Sequence, residues 1–248
     1  MPSRYLKRSS WLPCSSKVPI FVTNLKRVWL TSACYDIHMD SQGSSGIEQT
    51  TRGRSLLDLG LRLRNQAVVL GGFILFIWLI ELIDLLFFDH SLDAYGIQPR
   101  SITGLRGILF MPFLHADFGH LLANTVPFII LGWLVMMRRT RDFFIISAVI
   151  ILVSGLGVWV FGGSKTVHIG ASALIFGFLG FLLLRAYFEW SLSSIVIAVV
   201  VGLMYSSLIW GVLPLRAGVS WQGHLFGFIG GVLAAYLLTR RQRSTVIR

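Results

Sequence analysis

Six apolar segments run through the chain, near 67–87, 119–137, 143–161, 169–187, 194–213 and 221–239. Each approaches the roughly 20 residues that an α-helix needs to cross a bilayer, and in lipid such a segment must satisfy its backbone polar groups internally. The breaks between segments are Pro99 and Pro112 in the first long connection, Arg138-Arg139-Thr140-Arg141-Asp142 after the second segment, and Pro214 after the fifth. The expected fold is therefore all-α: a polytopic membrane protein built as a bundle of six transmembrane helices. An even number of spans puts both termini on one side.

Charge decides which side. Only 13% of the 248 residues are charged, against about a quarter in a soluble domain. The net charge of +11 raises the question of nucleic acid, but the cations sit at the ends of apolar runs and in the first 66 residues, which is the pattern of membrane orientation. No nucleic-acid partner is expected. With the N-terminus inside, 18 Lys and Arg lie on the inner side and 4 on the outer, so the positive-inside rule makes both termini cytoplasmic, in a bacterial plasma membrane or an organellar one. The only cysteines, Cys14 and Cys34, precede the apolar part, so neither a disulfide framework nor a Cys metal site is expected there.

Residues 1–66 are polar and rich in Ser and Arg, and are expected to form a basic, disordered tail. Through Tyr35 they hold six Lys or Arg and no acid, a composition shared by targeting segments, by plain basic tails, and by leaders that precede a later start such as Met39. The organisation expected is a tail over 1–66, a six-helix domain over 67–240 and a short basic tail over 241–248.

The second, fourth and sixth spans all run from the outer side inward, and each carries polar residues near its start: His120 and Asn124, Ser172, and His224. At about 1.5 Å of rise per residue the three starts share one depth, which permits contact without requiring it. A serine hydroxyl becomes nucleophilic when a hydrogen-bonded base takes its proton, and histidine is the usual base. Ser172 and His224 would make such a dyad, with the Asn124 amide, the His120 ring and the Ser172 N–H as donors to an oxyanion. Gly170, beside Ala171 and Ala173, leaves space at the serine. His224, Gly227 and Gly231 form a small-residue stripe, with the spacing used for close helix contact in lipid.

Other readings of the same residues stand beside this one. A serine among small residues in an apolar helix also serves plain packing, and His224 with Glu81 also suits a small transporter, because ionisable groups in spans line polar pathways. His115 and His120 are five apart, a poor spacing for metal on one helical face, and no H-E-x-x-H accompanies them. Glu81 and Asp84 follow thirteen apolar residues, Val68 to Ile80, so they fall in the outer third of span one and share a face turned to the bundle or the interface.

Taken together, HADFGHLLANTVPF (115–128), GASALIFGFLG (170–180) and GHLFGFIGG (223–231) resemble the rhomboid intramembrane serine proteases over about 67–240. The resemblance implies Ser172 as nucleophile, His224 as general base, His120 and Asn124 as oxyanion donors, and His115 as a structural histidine of the first loop. It implies no cofactor and no metal, and a transmembrane segment of another membrane protein as substrate. A non-proteolytic, client-binding relative is the alternative within that resemblance. Residues 89–118 would be a half-embedded loop and 214–221 a cap. Two positions depart from the family pattern: Gly104-Leu105-Arg106-Gly107 stands where Trp-Arg is frequent, and Phe176 stands where a tyrosine often stacks on the histidine.

Overall fold

The computed structural model describes residues 43–215 and 218–246, with side chains over 56–215 and 218–241. The described residues from Gln49 onward form one compact unit. The expectations for residues 1–42, including targeting and a start at Met39, lie outside the described residues. Seven α-helices are described: α1 (Gly43–Ile83), α2 (Gly107–Phe110), α3 (Phe118–Met136), α4 (Thr140–Phe161), α5 (Ser172–Glu189), α6 (Leu192–Met204) and α7 (Trp221–Val246). Among the described residues there is no β-strand, only an isolated bridge between Ile97 and His168.

Five helices are long and apolar enough to cross a membrane, and a bent sixth completes the set. The protein is thus a multi-pass helical membrane bundle. Helix α5 is its centre. From Ala173 to Leu184 its residues are apolar on every face, as a helix surrounded by others must be, and Ala173 through Leu182 are all buried. The core around it takes Phe128 and Leu131 from α3, Ile146 and Ile150 from α4, and Ala234 and Ala235 from α7.

Four boundaries differ from those expected, each for a local reason. Helix α1 begins at Gly43 rather than near 67, so the second part of the expected tail, 43–66, is helical; Leu56, Leu57, Leu59, Leu61 and Leu63 are strong helix formers that continue the first span backward. Helix α5 begins at Ser172 rather than 169 because Gly170 is at φ +110° and its N–H is taken by the Met111 carbonyl. Helix α7 continues through the expected 241–248 tail as far as Val246. The fifth span is not one helix: α6 stops at Met204, and the 3-10 stretch Ser206–Val212 leaves it at 74°. The break falls where the Ser206 hydroxyl donates to the Leu203 carbonyl, a side-chain competition that loosens a helix.

The connection between α1 and α3 is a series of short turns, Ser91–Tyr95, Thr103–Arg106, α2 and Met111–Phe113. In place of a Trp-Arg pair, Arg100 anchors it: the guanidinium donates to the carbonyls of Val160 and Gly162 and to Ser164 Oγ at 2.8–3.0 Å. Trp159 Nε1 donates to the Ser101 carbonyl from the facing end of α4. Glu81 and Asp84 are buried against the protein, and Asp84 Oδ1 accepts from the Leu92 N–H, so both acids are turned away from lipid.

Candidate active site

Ser172 is the first residue of α5, and the segment before it is fixed on three sides. Ile97 and His168 exchange both backbone hydrogen bonds, the Gly170 N–H donates to the Met111 carbonyl, and the Ala171 N–H donates to His115 Nε2 at 3.3 Å. His168 is buried, with Nδ1 2.6 Å from Ser220 Oγ and Nε2 2.9 Å from Thr166 Oγ1. It therefore ties the pre-serine segment to the connection ahead of α7. His115 is 1% exposed. Burial first, then the neighbouring His120, lowers its pKa to about 4, and an imidazole that accepts from a backbone N–H must carry a lone pair at that nitrogen.

His224 reaches Ser172 from α7. Its Nε2 lies 2.9 Å from Ser172 Oγ and its Nδ1 lies 2.9 Å from the Gly211 carbonyl oxygen. A carbonyl only accepts, so Nδ1 carries the hydrogen, and in a neutral imidazole Nε2 is then bare. The serine hydroxyl donates to that bare nitrogen. The ring is held flat against Phe176, with centroids 4.1 Å apart and planes 8° from parallel. Phe176 lies one turn after Ser172 on the same helix, so one helix carries both the hydroxyl and the surface that fixes the histidine's plane.

The approach of α7 to α5 depends on its glycines. A Cβ at Gly227 would run into the carbonyl of Ala173, and one at Gly231 into the carbonyl of Gly177. The stripe read from sequence is thus the contact line that brings His224 alongside Ser172.

His120 and Asn124 lie over the glycine before the serine. A Cβ at Gly170 would sit 2.8 Å from His120 Cε1 and 3.7 Å from Asn124 Nδ2, and the left-handed φ of this residue is a conformation glycine adopts without penalty. Asp117 caps α3 by accepting from the His120 N–H at 2.7 Å, which fixes the start of the helix carrying both side chains. Asn124 is 6% exposed, yet its Nδ2 is buried with no hydrogen-bond partner. An unpaired buried donor is costly and calls for a reason.

The structure brings together the residues of the candidate serine site: Ser172 with His224, Phe176 beneath the imidazole, Gly227 and Gly231 at the helix contact, and His120 with Asn124 over Gly170. Sequence reasoning missed the Gly211 carbonyl, because a backbone atom leaves no residue-type signal, and it missed the pairing of His168 with Ser220, because both lie in connections outside the spans, where no shared helix start sets their depth.

A half-buried serine paired with a buried histidine at the start of two packed spans, beside an unpaired amide, defines a polytopic membrane protein with a polar site among its helices. The Rhomboid domain model matches residues 103–241, and the chain belongs to the rhomboid family. It is 44% identical over 189 residues to an uncharacterised protein of Mycobacterium tuberculosis, covering 71% of this chain and 78% of that one. An uncharacterised Mycobacterium leprae protein is 41% identical over 196 residues, 75% of this chain and 76% of its own. RHOMBOID-like protein 4 of Arabidopsis thaliana is 32% identical over 146 residues, 54% of this chain and 34% of its own.

Proposed function

We propose that the protein is a cofactor-free intramembrane serine endopeptidase that cleaves transmembrane segments of other membrane proteins. The observation that carries this reading is the hydrogen bond from Ser172 Oγ to the bare Nε2 of His224, with the tautomer set from the far side of the ring. In the proposed reaction Ser172 Oγ attacks the scissile carbonyl carbon as its proton passes to His224 Nε2. The tetrahedral oxyanion takes hydrogen bonds from Asn124 Nδ2, the His120 ring and the backbone at the start of α5. The imidazolium then protonates the leaving amine, and water, deprotonated by the same nitrogen, releases the acyl-enzyme. Family membership supports this reading over a transporter, and the Ser172–His224 hydrogen bond with the Asn124 donor left without a partner supports it over a non-proteolytic client binder.

In this reading 67–240 is the protease domain, the tails over 1–66 and 241–248 face the cytoplasm, and the dyad opens toward the outer face. The test is a fluorophosphonate probe on the full-length protein in detergent, followed by peptide mapping. Labelling at Ser172 that disappears in both Ser172→Ala and His224→Ala is the expected result. Labelling elsewhere, or cleavage of a co-reconstituted single-span protein by Ser172→Ala, refutes the assignment. Reporters after Arg139 and at the C-terminus should read cytoplasmic and one near Lys165 external.

A further inference from the structure

At the end of the bundle opposite Ser172, the helix ends enclose two adjoining cavities that the proposed chemistry does not use. The first, about 220 Å³, lies between α1 and the α3–α4 turn and is lined by Arg62, Gln66, Met136, Arg138, Arg139 and Thr140. The second, about 120 Å³, lies between the end of α3, α5 and α6 and is lined by Arg138, Arg185, Ser193 and Ser194, with Leu182 and Ile197 as apolar wall. Met137 and Arg138 line both.

The first cavity has a built floor. The Gln66 amide donates to the Met136 carbonyl at 3.0 Å and accepts from Trp133 Nε1 at 2.8 Å, which closes α1 onto the end of α3 and leaves the arginines above. In the second cavity one carboxylate serves two guanidiniums. Glu189 accepts from Arg138 at 2.9 and 3.0 Å and from the Ser194 hydroxyl at 2.8 Å, and forms an ion pair with Arg185 Nε at 3.0 Å. Among the described residues neither Arg62 nor Arg139 is in an ion pair, while the remaining acid of the turn, Asp142, is 4.0 Å from Arg141. Four guanidiniums against one carboxylate leave a net charge of three around the two spaces.

Like charges gathered around a void repel one another unless an anion lies between them. Guanidinium forks fit phosphate oxygens with two bonds at a time. At about 30 Å³ for each water, 220 Å³ accommodates a phosphodiester group. The level is that of the span ends, and the second cavity is walled by Leu182, Ile197 and the half-exposed Met137, which suits the glycerol and the first methylenes of a lipid better than a free ion. Basic pockets between helix ends bind such headgroups in other membrane proteins.

We propose that these joined cavities bind the phosphodiester headgroup of an anionic phospholipid from the leaflet on the side where α1 enters and α7 leaves. The lipid ties α1 to the α3–α4 turn and to the α5–α6 corner, three elements whose polar links there run through Gln66, Glu189 and the Arg138–Ser191 contact. The site does not depend on the proteolytic reading.

The test uses the full-length protein in nanodiscs of phosphatidylcholine with phosphatidylglycerol, and native mass spectrometry to count retained phosphatidylglycerol. The double variant Arg62→Gln, Arg139→Gln should retain about thirtyfold less than wild type. Arg240→Gln, Arg241→Gln removes the same charge from the same face outside the cavities and should retain it nearly as wild type does. Equal retention by all three, or an equal fall in both double variants, overturns the site in favour of a diffuse basic face. Inorganic phosphate in pure phosphatidylcholine discs should leave the melting temperature unchanged; a rise that the first double variant lacks makes the ligand a free anion and overturns the lipid. Should that variant fail to fold, Arg139→Gln alone, at an exposed turn position, is expected to retain about fivefold less.

Discussion

The carbonyl of Gly211 accepts a hydrogen bond from Nδ1 of His224 at 2.9 Å, and that bond determines which nitrogen faces Ser172. Gly211 reaches the histidine only because the fifth span breaks after Met204 and its last part turns by 74°. A straight helix through 213 would point this carbonyl along its own axis. The bend is thus part of how the proposed base is oriented.

A methyl group at position 211 would lie 2.7 Å from Phe176 Cζ and 3.3 Å from His224 Nδ1, so the segment must retreat and the carbonyl with it. Gly211→Ala is expected to lower kcat on a co-reconstituted single-span substrate by roughly ten- to a hundredfold, a partial loss of the 10²–10⁴ that a positioned general base typically contributes. KM and melting temperature should change little, since the segment is at the edge of the bundle. A wild-type kcat would mean that stacking on Phe176 alone orients the ring.

Asn124 gives a prediction with two signs. Its buried Nδ2 has no partner in the resting protein, so Asn124→Ala removes an unsatisfied donor and should leave the melting temperature equal or higher. If the developing oxyanion is the missing partner, kcat falls by about 10²–10³. A variant that melts lower and turns over normally would make Asn124 a packing residue.

What was legible in the sequence was what periodicity and residue type encode. Long apolar runs declare spans, and the polar exceptions His120, Asn124, Ser172 and His224 stand out because lipid makes each of them expensive. Gly227 and Gly231 were legible because close helix contact needs the absence of a side chain. The break in the fifth span was not, because Tyr205-Ser206-Ser207 is as compatible with a helix as with its interruption until the Ser206 hydroxyl finds the Leu203 carbonyl. Nor was the anchoring by Arg100, whose acceptors are mostly backbone carbonyls some 60 positions away. The helical start at Gly43 was hidden for a different reason: polarity was read as disorder, although its leucines favour a helix.

The glycine line between α5 and α7 can be tested by adding single methyl groups. Gly231→Ala drives Cβ into the Gly177 carbonyl, and overpacking of this kind typically costs about 1–3 kcal/mol. Its melting temperature should fall, and probe labelling of Ser172 should slow as His224 moves off. Gly71→Ala on α1, where an added Cβ meets nothing within 4 Å, should be neutral or slightly stabilising. Equal behaviour of the two variants would show that α7 reaches α5 without needing that glycine.

His115 provides the pH dependence. Its pKa in the folded protein is about 4, against 6.5 for the free side chain; Asp117, the nearest acid acting on it, opposes that shift but is outweighed by burial and His120. Above pH 6.5 both folded and unfolded chains hold the ring neutral, and the stability is fully present. As pH falls from 6.5 to 4 the unfolded chain takes up the proton first, so stability declines across that window, by roughly 3 kcal/mol for a shift of this size. Below 4 the loss is complete, and the Ala171 N–H has lost its acceptor one residue before Ser172. Asp93, raised to about 6 by burial and by Asp84, works in the opposite direction over nearly the same range, so the wild-type profile alone is a sum. His115→Gln keeps an acceptor without the titration. Chemical denaturation of wild type and His115→Gln between pH 7.5 and 4 should give a difference that grows as pH falls, with the variant gaining on wild type. Parallel profiles would mean that His115 is protonated together with the unfolded chain and does not hold the pre-serine segment through a neutral ring.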